Sequence, residues 1–83
     1  MFEWNEGLRV GERVAWWADK HGLGVASDHP DAVRRQGLID YVLQHPLFPS
    51  TVVAYSVKCE SITGPYIVML RPDHGHQPTR DHT

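Results

Sequence analysis

Apolar positions recur at helical spacing in the middle of the chain. In SDHPDAVRRQGLIDYVLQHP, residues 27–46, Val33, Leu38, Tyr41, Val42 and the pair Ile39–Leu43 make one broad stripe and predict an amphipathic helix. Ser27 or Asp28 suits the N-cap, Pro30 the first turn and Asp31 the positive end of the helix dipole. Pro46 ends the pattern, and HPLFPS reads as an extended exit. Gly37 is the local misfit, since a glycine inside a helix costs about 1 kcal/mol relative to alanine.

The period changes after residue 50. Thr51, Val53, Tyr55 and Val57 alternate with Val52, Ala54, Ser56 and Lys58, and Gly64-Pro65 marks a turn. This predicts a β-hairpin. Its second arm, YIVML at 66–70, is apolar throughout and reads as the central strand. The 51–58 arm, which carries Tyr55, is then expected at an open sheet edge.

GERVAWWADKHGLG, residues 11–24, fits two periods. As a helix from about Leu8 to His21, with Asn5 as N-cap, it buries Val10, Val14, Trp17, Ala18 and His21. Trp16 is left at the edge of that stripe, and Gly22 ends the helix in a left-handed cap. As strands, RVAWWA and LGVAS make a hairpin about DKHG, with Gly22 again left-handed. The helix is the preferred reading. The expected fold is then α+β: two helices packed on a small antiparallel sheet that ends in a C-terminal β-hairpin. A small β-barrel with one inserted helix is the alternative.

At 83 residues the chain forms one domain, expected over 1–72. Residues 73–83, DHGHQPTRDHT, have no apolar position and read as a disordered, histidine-containing polar tail. Cys59 is the only cysteine, which excludes a disulfide within the chain and fits a reducing, cytoplasmic setting. The acidic MFEWNEG start lacks the apolar core of a signal peptide, and no apolar run approaches the ~20 residues of a membrane span. A formal charge of −2 with mixed signs gives no electrostatic case for a membrane or nucleic-acid partner. Arg34–Arg35, with Arg9 and Arg13, supports a winged-helix-like nucleic-acid binder only as an alternative. A third helix and a basic wing are missing.

Candidate chemistry is sparse. Cys59 has no base beside it on its own strand face, and reads as a small half-buried hydrophobe. His21, His29 and His45 fall at predicted helix ends, where capping accounts for them. Cys59, His29 and Asp28 or Asp31 together sustain a second alternative, a small metal- or thiol-dependent enzyme domain. No catalytic residue, metal or cofactor is expected.

The positive signal is aromatic. Three tryptophans are more than a core this small hides easily. The expected function is therefore a non-catalytic interaction module, an accessory, inhibitor or assembly-type protein of a bacterium or phage. It would bind another protein or itself, as a homo-oligomer, through Trp4, Trp16, Trp17 and Tyr55 and a free sheet edge.

Overall fold

Where the apolar spacing predicts a helix over 27–46, the chain is a twelve-residue strand, β2 (Val33–Gln44). The computed structural model describes residues 8–49 and 51–81. The other strands are β1 (Arg13–Ala18), β3 (Val52–Ser61), β4 (Gly64–Leu70) and β5 (Thr79–Arg80). All are antiparallel, in the order β4-β3-β2-β1-β5. Among the described residues the sole helical element is a 3-10 turn at Pro72–His74. The α+β expectation is thus overturned, together with the inserted helix of its barrel alternative. This is an almost wholly antiparallel β domain.

The physical reason lies in β2 itself. Ile39 pairs with Val57, but Tyr41 pairs with Ser56, so Asp40 is an extra residue in the strand. This bulge shifts the side-chain parity. Ile39 is buried and Val42 packs against the same core, although they stand three apart. Spacing of three is what mimics a helix. Gly37 also belongs to the strand: a Cβ there would fall 2.6 Å from Val57 Cγ1 and 2.7 Å from the Lys58 carbonyl oxygen. Only glycine lets β2 lie this close to β3.

β1 alternates as a strand should. Val14, Trp16 and Ala18 point into the core, while Trp17 lies on the outer face. The following turn is held by Asp19, whose Oδ1 accepts the N–H groups of His21 at 2.8 Å and Leu23 at 3.0 Å. Gly22 takes the left-handed conformation there, as both readings of this stretch require. The predicted helix cap Asn5 lies outside the described residues.

The expected hairpin is present as β3 and β4, but its arms exchange roles. β3 is interior, paired with β2 on one side and β4 on the other, and β4 is the edge. Residues of the expected tail are built into the sheet. After the 3-10 turn the chain crosses to the far side and adds β5 to β1, with Val14 opposite Arg80 and Ala15 opposite Thr79. Buried side chains of β1 to β4, with Leu8, make one core. The sheet coils enough that Trp16 and Ala18 of β1 line the same cavity as Tyr66 and Val68 of β4.

Candidate interaction surface

β4 pairs with β3 along one side and, among the described residues, with no strand along the other. Proline is accommodated where its nitrogen faces away from the neighbouring strand, and Ile67 and Met69 share the parity of Pro65. Their backbone groups therefore lie along the free edge. Gly64–Leu70 carries no charge at all. Natural edge strands are usually guarded by charge, bulges or a covering segment. Here Pro65 is the one such guard within the strand, at its start.

The outer side chains of β4 are apolar, and so are Leu38, Tyr41 and Leu43 of β2 on the same face. Register places Ile67 beside Lys58, with Leu38 beyond it, and Met69 beside Ser56, with Tyr41 beyond it. Leu38, Tyr41, Leu43, Ile67 and Met69 are all exposed, Tyr41 most of all at 59%. Lys58 and Ser56 of β3 run between the β2 and β4 members of this set, so two apolar rows flank a polar one.

The predicted interaction residues do not meet there. Trp16 is 3% exposed and Tyr55 1%, so both belong to the core of the subunit. Trp17, at 37%, sits on the outer face of β1 opposite Arg34, beside a cleft of about 370 Å³ that Val25 and Thr79 also line. Trp4 lies outside the described residues. Tyr41, Ile67 and Met69 are not among the expected interaction residues, because the uncharged run YIVML also fits a strand covered on both sides. Its lack of charge was the usable signal, and it marks an unguarded edge equally well.

The candidate reactive groups have structural roles. Cys59 is buried beneath β2 and β4, and burial pushes its thiol pKa up, against weaker opposite pulls from the Tyr66 hydroxyl and the Arg35 charge. A thiol so placed is a poor nucleophile. His29 Nδ1 accepts the Asp31 N–H at 3.0 Å, and His45 Nδ1 accepts the N–H groups of Leu47 and Phe48. Both rings cap turns. Among the described residues no three His, Cys, Asp or Glu side chains converge as a metal site requires. No helix among them is long and apolar enough to cross a membrane. Comparison of the chain with protein-family models, curated proteins and solved structures finds no match.

Proposed function

We propose that this domain is a non-catalytic protein-interaction module that accepts an extended segment of a partner protein along β4. The observation that carries this reading is the uncharged, seven-residue edge of β4, which pairs with no further strand among the described residues and exposes Ile67 and Met69 on its outer side. An added strand gains main-chain hydrogen bonds from the edge and side-chain burial from the face. The single buried thiol suits a reducing, cytoplasmic setting for such a module. A second copy of this chain is the rival occupant of the same edge.

The test uses the full chain, isotopically labelled, titrated with a capped pentapeptide of alternating valine and threonine. The Ile67 and Met69 amides should shift first, and Ile67→Lys and Met69→Lys should abolish the shift. Both side chains are exposed, so the folded dispersion of the spectrum should persist. Two results overturn the reading. One is a peptide that leaves the β4 amides unmoved. The other is sedimentation showing a dimer of the unliganded chain that Ile67→Lys dissociates, which gives the edge to a second copy.

A further inference from the structure

Arg35 faces the inside of the coiled sheet. Its register partner is Trp16, so the two side chains leave β2 and β1 on the same side. There Arg35, Trp16, Lys20, His21, Tyr66 and Val68 line a cavity of about 320 Å³ between the end of β1 and the inner side of β4. Arg34, Arg71 and Arg80 each meet a carboxylate, at 3.3, 2.6 and 2.6 Å. Arg35 has no such partner among the described residues. Asp19 also borders the cavity, but its Oδ1 is held by the two N–H groups of its own turn. The cavity therefore offers a guanidinium fork and an ammonium group with one committed acid against them.

A strand seated on β4 would direct alternate side chains to the two faces of the sheet. Those on the inner face would stand beside Tyr66 and Val68, at the mouth of this cavity. Those on the outer face would lie beside Ile67 and Met69. We propose that the segment received by β4 carries carboxylate side chains at alternate positions, which enter the cavity and pair with Arg35, and apolar side chains between them. The inference rests on the strand-addition reading and names the chemistry of the partner. Guanidinium and carboxylate match as a two-point hydrogen-bonded pair, which a lysine in place of Arg35 reproduces only as a point charge.

Three capped pentapeptides separate this inference from the reading beneath it. Each has valine at positions one, three and five, with glutamate, glutamine or lysine at two and four. Two signals are followed on the full chain: the Ile67 and Met69 amides report strand addition, and the Arg35 Nε–H reports the carboxylate. The glutamate peptide should bind about tenfold or more tighter than the glutamine peptide, with the lysine peptide weakest, and it alone should move the Arg35 Nε–H. Arg35→Gln should erase the preference for glutamate and leave the glutamine peptide unaffected. Arg35→Lys should retain part of the preference. Arg35 is exposed, so the thermal midpoint of both variants should match that of the parent. Equal binding of all three peptides, with β4 amides shifting, would leave strand addition standing and overturn the acidic preference. No movement of β4 amides with any peptide would overturn both.

Discussion

Gly24 and Gly75 cross with no side chain between them. The Gly24 N–H donates to the His74 carbonyl at 2.9 Å, and a Cβ on Gly24 would fall 2.2 Å from the Gly75 carbonyl carbon. This contact joins the β1–β2 loop to the segment that carries the chain from β4 across to β5. It fixes the far end of the sheet backbone against backbone.

Gly24→Ala must drive those two backbones apart, because neither neighbour is a flexible side chain. The expected loss is about 3 kcal/mol or more, a large share of the stability of a small domain. Gly22→Ala is the comparison. It meets open space and suffers only from its positive φ of 84°, which costs about 1–2 kcal/mol. Urea unfolding of the two variants checks the order. A Gly24→Ala midpoint equal to or above that of Gly22→Ala would show that the crossing is not tight.

His76 stitches the same region from within. It is buried; its Nδ1 accepts the Arg71 N–H at 3.0 Å, so Nε2 carries the hydrogen offered to the Gly22 carbonyl at 2.8 Å. His76→Ala removes a partner from each backbone group and leaves a void, at a cost of about 2–4 kcal/mol. Amide exchange should show the Arg71 N–H losing protection. Asp73→Asn weakens only the exposed pair with Arg71 and should lower the unfolding midpoint far less than His76→Ala does.

These residues also show what the sequence could reveal. The alternation over 51–58 was legible because β3 buries side chains with a regular period, and Gly22 declared a left-handed turn under either reading. β2 was not legible, since the Asp40 bulge sets Ile39 and Val42 on one face at helical spacing. β1 is six residues long, too short to separate a period of two from one of 3.6. β5 has no hydrophobic signature because polar bonds help to hold it: Arg80 to Glu12, with Asp81 beyond it to Arg34. Arg35 looked like part of a solvated helix face. As part of a strand it shares the inner side of β2 with Gly37 and Ile39, opposite Trp16, and composition carries no sign of that parity.

Glu12 ties the start of β1 to β5. The Arg80 Nε–H hydrogen bond at 2.6 Å is the main cause that holds its carboxyl below its ordinary value of 4.5, and the Arg9 N–H adds to it. A carboxylate depressed in the folded state contributes stability that is full above that ordinary value and is lost as pH falls through the folded one. Stability should therefore drop on acidification below about 4.5. Glu12→Gln should be less stable than the parent at pH ~7, and the two should converge in acid. Denaturant titrations across this range check it. The acid limb should flatten only in part, because the depressed carboxyls of Asp19 and Asp73 act in the same direction. Added salt should narrow the gap between the two proteins.

The adjacent tryptophans give the sharpest test of β1 itself. A strand sends neighbours to opposite faces, and here Trp16 goes in at 3% exposure while Trp17 stays out at 37%. Trp16→Ala should cost about 3–5 kcal/mol as a core truncation. Trp17→Ala should cost well under half as much, losing only its cover over the outer face. In a Trp4→Phe background, the variant that keeps Trp16 should emit at shorter wavelength and resist acrylamide quenching. The variant that keeps Trp17 should be readily quenched. The reverse result would mean that β1 is displaced by one residue. Such a slip would turn Val14 and Ala18 out of the core and bring Trp17 into it. Arg35 would keep its direction, which β2 and its pairing with β3 set, and Trp17 would replace Trp16 beside it.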